Sequence, residues 1–162
     1  MMTAKTHQTE ITVDRDVPLV RITREFDAAP DKVFRAHADP GLVTRWLGPR
    51  RHQMRIDHYD CRTGGSYRYA HLSDGNEFGF HGCFHEVRPG ELIVQTFTYD
   101  GEPDGVALER ITFTDLGGGR TRLTSTSLVD SFAARDAFVA SGMQAGVRES
   151  YERLDEVLAG PS

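Results

Sequence analysis

The stretch SYRYAHLSDGNEFGFHGCFH, residues 66–85, decides the fold. Asp74-Gly75 at its centre is a strong hairpin signal, because a two-residue loop needs left-handed backbone that Asp and Gly tolerate. Such a loop pairs Ser73 with Asn76, Leu72 with Glu77 and Tyr69 with Phe80. Paired residues of an antiparallel ladder share a face. One face then carries Tyr67, Tyr69, His71, Phe78, Phe80 and Phe84, and the other Ser66, Arg68, Ala70, Glu77, His81, Cys83 and His85. A three-residue loop would exchange the two faces, since a slip by one residue turns a whole strand over. One side of this hairpin is aromatic and needs cover.

The C-terminus supplies it. From Ser131 the apolar period changes to that of a helix. Met143, Val147, Tyr151, Leu154 and Leu158 recur three or four apart, opposite Glu149, Glu152, Arg153, Asp155 and Glu156. The pattern predicts a long amphipathic helix with one buried face, ended by Gly160-Pro161 and divided at Gly142 from a shorter turn before it. Met143, Val147 and Tyr151 are expected to face the aromatic side of the hairpin across the interior.

Further strands are predicted at 19–26, 53–60, 65–72, 77–87, 92–99, 106–114 and 120–129, separated by short Gly- and Pro-rich turns. In the first, Val20, Ile22 and Phe26 share a face with Arg24. The Arg88-Pro89-Gly90 turn leaves its register open. A three-residue connection puts Leu92, Val94 and Thr96 inside, and a four-residue one puts Ile93, Phe97 and Tyr99 there. Pro30 opens a helix to Ala38 that buries Val33 and Phe34; a second short helix through Leu42, Val43 and Trp46 stops at Gly48-Pro49. The order is strand, two short helices, six strands, long helix. This predicts an α+β fold in which a curved seven-stranded antiparallel sheet wraps around the C-terminal helix over 18–160, with 1–17 a flexible arm. Ile11 and Val13 could add a short edge strand to it.

The 162 residues fit one domain, and a formal net charge of −5 argues against the basic stripe of a nucleic-acid binder. Cys61 and Cys83 form no CxxC pair, so zinc-ribbon and thioredoxin-like readings lack support. No apolar run reaches the roughly 18 residues of a membrane span, and no signal-peptide core follows Met1. A cytoplasmic location is expected. An exposed sheet edge is compatible with a homodimer.

These elements resemble the helix-grip fold of the START-like (SRPBCC, Bet v 1-like) superfamily, and its branch related to the activator of heat-shock protein 90 ATPase. The likeness is carried by ITREFDAAPDKVFRAHADPGLVTRWLGP from Ile22, DCRTGGSYRY from Asp60, GCFHEVRPGELIVQTF from Gly82, ITFTDLGGGRTRLT from Ile111 and SGMQAGVRESYERLDEVLA from Ser141. Two positions depart from the family pattern. Trp46-Leu47 stands where two aromatics are common, and Gly146-Val147 where a tryptophan often follows the glycine. Both changes remove bulk.

The resemblance implies a cavity for a small hydrophobic molecule between the sheet and the C-terminal helix. The residues expected to bind it are Trp46, Tyr67, Tyr69, His71, Phe80, Met143, Val147 and Tyr151. It also offers two alternatives, a polyketide-cyclase-like enzyme using the same cavity and an interaction module acting on a chaperone ATPase. For a cyclase, the inner face offers His71, Arg24 and the tyrosines as acid–base groups. Arg24 could pair with a ligand carboxylate or with an inner carboxylate such as Glu109. No cofactor is expected.

Other constellations carry less. His81, Cys83 and His85 alternate along one strand about 7 Å apart, too far to converge on one metal ion. Asp60-Cys-Arg-Thr-Gly-Gly65 reads as a tight turn braced by an Asp–Arg pair. Gly117-Gly118-Gly119 lacks the lysine and helix of a phosphate loop. Ser125, Ser127 and Ser150 sit in no GxSxG motif.

Overall fold

The Asp74-Gly75 hairpin takes the register that its loop length dictates. In the computed structural model, which describes residues 7–160, Ser73 pairs with Asn76, Leu72 with Glu77 and Tyr69 with Phe80. Asp74 and Gly75 both take positive φ, 51° and 78°, as such a turn requires.

Eight strands form one antiparallel sheet among the described residues. They are β1 (Glu10–Val13), β2 (Leu19–Phe26), β3 (Gln53–Tyr59), β4 (Ser66–Ser73), β5 (Asn76–Arg88), β6 (Leu92–Tyr99), β7 (Ala107–Gly117) and β8 (Arg120–Leu128), in the spatial order β1-β2-β8-β7-β6-β5-β4-β3. Helices α1 (Pro30–Ala38) and α2 (Pro40–Trp46) follow β2; α3 (Phe132–Ala140) and α4 (Met143–Ala159) end the chain. The curved antiparallel sheet with its terminal helix is the expected helix grip.

The count of seven strands is corrected to eight. Glu10–Val13, which falls within the stretch expected to be an arm, pairs with β2 from Glu10↔Thr23 to Val13↔Val20. Ile11 packs there against the core, and the pairing covers backbone groups that β2 would otherwise leave unpaired. The remainder of the expected arm includes residues 1–6, which lie outside the described residues.

The register left open at Arg88-Pro89-Gly90 is resolved by a bulge. Arg88 pairs with Leu92 across a three-residue connection, yet Ile93, not Leu92 or Val94, joins the core cluster. Between Phe84↔Gln95 and Glu86↔Val94 the ladder shifts by one residue at His85. One extra residue turns the strand over. Phe84, Gln95 and Phe97 therefore share the inner face.

Helix starts follow their sequence signals. Pro30 and Pro40 occupy first-turn positions, the Asp39 carboxylate accepts from Gly41 N at 2.9 Å, and Ser131 Oγ accepts from Ala134 N at 3.0 Å. Gly142, at φ 87°, divides α3 from α4. The segment before it is thus a nine-residue helix rather than a turn.

The core lies between the sheet and the second half of α4. Phe26, Val33, Leu123 and Leu154 are fully buried, each side chain contributing about 2–3 kcal/mol. Tyr151 meets Phe26 edge-on at 5.5 Å and stacks with Trp46 at 6.3 Å, and the Trp46 Nε1–H donates to Ala36 O at 2.8 Å. Arg24 clamps α4 to β2. Its guanidinium, 3% exposed, makes two 2.7 Å bonds to the Asp155 carboxylate and lies 4.7 Å over the Phe26 ring. Its partner is neither a ligand nor Glu109. The loop after α2 is held by α4 as well. Gly48 N donates to Ser150 Oγ, Arg153 donates to Gly48 O, and Arg50 N donates to Glu149.

Candidate functional site

The core does not fill the whole space under the sheet. Beyond Met143 a cavity of about 700 Å³ remains, floored by the ends of β4 to β8 and roofed by α3 and the first turn of α4. Phe78, Phe80, Phe97 and Tyr99 supply its sheet side, and Phe138 and Met143 its helix side. The space exists because the roof is small. Ala134, Ala137, Ser141, Gly142 and Gly146 line it, and a Cβ added at Gly146 would meet only Pro49 Cγ, at 4.0 Å. Ala134 and Ala137 remain exposed, so the cavity has a mouth to solvent.

The eight residues expected to bind a ligand divide into two groups. His71, Phe80 and Met143 line the cavity. Trp46, Tyr67, Tyr69 and Tyr151 are buried in the packed cluster behind it, and Val147 is half-buried against that cluster. Two of them are already engaged, Trp46 with Ala36 O and Tyr67 through its hydroxyl with Thr96 O at 2.6 Å. Burial raises the hydroxyl pKa of Tyr67, Tyr69 and Tyr151 well above the ordinary range, so they stay protonated.

His71 is 8% exposed and sits among Tyr69, Phe80 and His52. Desolvation, then the neighbouring His52 and Arg153, hold its pKa down to about 4, so the ring is neutral at pH 7. Gly48, at φ 91°, lies against the imidazole so closely that a Cβ there would overlap it.

Sequence reasoning missed His52, and it placed Glu109 inside as a partner for Arg24 rather than for Gln95 and Ser127. His52 stacks on Phe78, 6.1 Å between centroids and 15° between planes, and lines the cavity. It follows a Gly-Pro turn, where periodicity gives no face. Glu109 stands in register between Gln95 and Ser127. Gln95 Nε2 donates to one carboxylate oxygen and Ser127 Oγ to the other, each at 3.0 Å. Desolvation raises the Glu109 pKa against the pull of those two donors. Glu109 is half-buried as a residue and is not itself among the side chains that line the cavity. Ser127, its donor, lines the cavity. The signal was a charged residue in phase with Ala107, Ile111 and Phe113.

The remaining constellations are structural. His81 and Arg68 both bond Asp100 on the outer face, each at 2.8 Å. Among the described residues no three His, Cys, Asp or Glu side chains are placed to hold a metal ion. Arg62 braces Asp60 at 2.7 Å beside Gly64, at φ 85°, as a tight turn. A second depression, about 390 Å³, is walled by Asp31, Glu91 and Asp115 and offers little to an apolar molecule. No helix of the described residues is long and apolar enough to cross a membrane.

Comparison with known proteins agrees with this architecture. A crystal structure of a Rhodobacter sphaeroides protein is similar at 26% identity and a TM-score of 0.84, over 93% of this chain and 97% of that one. A Chromobacterium violaceum protein is similar at 27% identity and a TM-score of 0.77, over 88% and 99%. Protein Ms6760 of Mycobacterium smegmatis, at 24% identity and a TM-score of 0.85 over 95% and 98%, shares the fold. No curated protein matches the chain. Residues 27–159 match the family described as activator of Hsp90 ATPase homolog 1-like protein, and the chain belongs to that family, within the SRPBCC (Bet v 1-like) superfamily.

Proposed function

We propose that this protein binds a small hydrophobic molecule in the cavity under α3 and the first turn of α4. The family's fold is generally a ligand-binding one. The observation that carries the reading is an aromatic-walled space of about 700 Å³ roofed by alanine and glycine. That volume lies in the range of small-molecule sites. His71, Phe80 and Met143 are the contact residues drawn from the eight, and Trp46, Tyr67, Tyr69, Val147 and Tyr151 support the wall from behind. Native mass spectrometry of gently purified protein tests it directly. An added non-covalent mass of a few hundred daltons, lost on denaturation, is expected. Apo mass alone, together with no binding of the neutral dye N-phenyl-1-naphthylamine, would overturn the reading.

Glu109 favours a second reading, in which the same cavity carries out a general acid–base step on its bound molecule. Burial raises the Glu109 carboxyl and lowers the His71 imidazole, which favours the neutral form of each, a proton donor and a proton acceptor in one interior. The test is to incubate wild type with its co-purified ligand and follow the ligand's mass. A mass change that Glu109→Gln abolishes while still binding supports catalysis. A ligand unaltered by wild type rules it out.

A further inference from the structure

Three buried side-chain nitrogens lack a hydrogen bond among the described residues, and two lie at one place, His52 Nδ1 and His71 Nδ1. Both rings line the cavity, with centroids 5.8 Å apart. Buried polar groups without partners are rare enough that two side by side need a cause. A buried N–H with no acceptor is disfavoured more than a buried lone pair with no donor. The His71 proton is therefore assigned to Nε2, and the same preference gives His52 an Nε2–H, so both rings that line the cavity carry an N–H donor there. The low pKa of His71 fits a ring that donates while neutral.

The surrounding charge points the same way. Arg51 lines this end of the cavity, is exposed, and makes no ion pair among the described residues. The lining carboxylates lie elsewhere. Glu102 is in the β6–β7 connection, and Asp130 follows β8, four strands from β4 in the sheet. An acceptor group entering between His52 and His71 meets donors and a cation, and no carboxylate on β3 or β4 lines the cavity beside it.

We propose that the ligand is amphipathic, with an anionic hydrogen-bond-accepting headgroup held by His52, His71 and Arg51 and an apolar body lying along Phe78, Phe80 and Met143. This rests on the cavity being a ligand site and adds the chemical class of the ligand.

Two dyes that share one apolar body separate these claims. N-phenyl-1-naphthylamine is neutral, and 8-anilinonaphthalene-1-sulfonate adds an anionic acceptor. Fluorescence titration of the whole chain should show both binding. The His52→Phe/His71→Phe double variant should weaken the sulfonate by about tenfold, roughly one hydrogen bond to a charged group, and leave the neutral dye within about threefold. His52→Phe alone keeps the stack on Phe78 and should show the same selective loss in smaller measure, should the double variant fail to fold. Equal changes for the two dyes, or an unchanged sulfonate affinity, would overturn the headgroup site and leave the cavity reading standing. Failure of wild type to bind either dye would overturn both.

Discussion

Under α1, α2 and the second half of α4, aromatic rings close on one another. Phe26, Trp46, Tyr151 and Phe84 leave no space between sheet and helix. At the other end of the same sheet, Phe78, Phe80, Phe97 and Tyr99 are just as aromatic, and a cavity remains. The difference lies in what faces the sheet. At the closed end α4 presents Tyr151, Leu154 and Leu158; at the open end the helices present Phe138 and Met143 spaced by the small residues Ala134, Ala137, Ser141, Gly142 and Gly146. A sheet rich in aromatics is thus compatible with either a core or a pocket. The size of the helix side chains decides which one forms.

The sharpest test of this contrast is a pair of truncations. Phe26→Ala should destabilise by about 3–5 kcal/mol, because nothing near it can collapse into the gap. Phe78→Ala, at the cavity wall, should cost about 1 kcal/mol, since it enlarges a space already present. Urea unfolding measures both, and equal losses would break the distinction between the two ends.

Acid should also find the closed end. His37 is buried against Trp46 and Phe113, its Nδ1 bonded to Val33 O at 2.8 Å, and desolvation lowers its pKa from 6.5 to about 4. The folded value lies below the unfolded one, so the unfolded chain binds the extra proton between them. Stability is therefore full above pH 6.5 and falls as pH drops towards 4, by up to about 1.4 kcal/mol per unit and about 3 kcal/mol in all. His71, lowered to about 4 as well, adds a contribution of the same sign, so urea midpoints measured from pH 7.5 to 4.5 should fall along the combined slope and His37→Phe should remove about half of it.

The clamp on α4 comes next in size. Asp155→Ala leaves the Arg24 guanidinium buried without its partner, and the expected loss is about 2–3 kcal/mol, moderated because Asp155 is partly open to water. Arg24→Met combined with Asp155→Leu removes both charges and should recover most of it. A double variant as unstable as Asp155→Ala would mean the clamp acts through packing rather than charge.

Much of the closed end was legible in the sequence. The Asp74-Gly75 loop fixes the faces of β4 and β5, and the 3.6-residue period places Tyr151, Leu154 and Leu158 inward; both are local signals. The open end was harder to read. The bulge at His85 inverts β6, and a one-residue insertion leaves no mark in a pattern of alternating residues. The α3 roof looked like a turn because its alanines show no apolar stripe. Trp46, Tyr67, Tyr69 and Tyr151 were expected at a ligand for being large and inward. Whether an inward ring meets a neighbour or an opening depends on residues far away in the chain. His52 stands after a Gly-Pro turn, outside any periodic run, and its place is set by the hold of Ser150 and Arg153 on Gly48.

The smallest expected effect isolates the roof itself. Gly146 lies one turn into α4 with ordinary helical backbone and open space where a side chain would go. Gly146→Ala should stabilise by about 0.5–1 kcal/mol through helix propensity alone, read as a higher urea midpoint. Gly146→Phe adds a ring on the same backbone, directed at the space the cavity occupies. If small roof residues keep that end hollow, the phenylalanine variant should fold at least as stably as wild type and lose the neutral dye. A variant that unfolds while Gly146→Ala is stabilised would show that the roof has no room to accept bulk. The glycine would then serve close packing, and the contrast between the two ends would rest on the sheet after all.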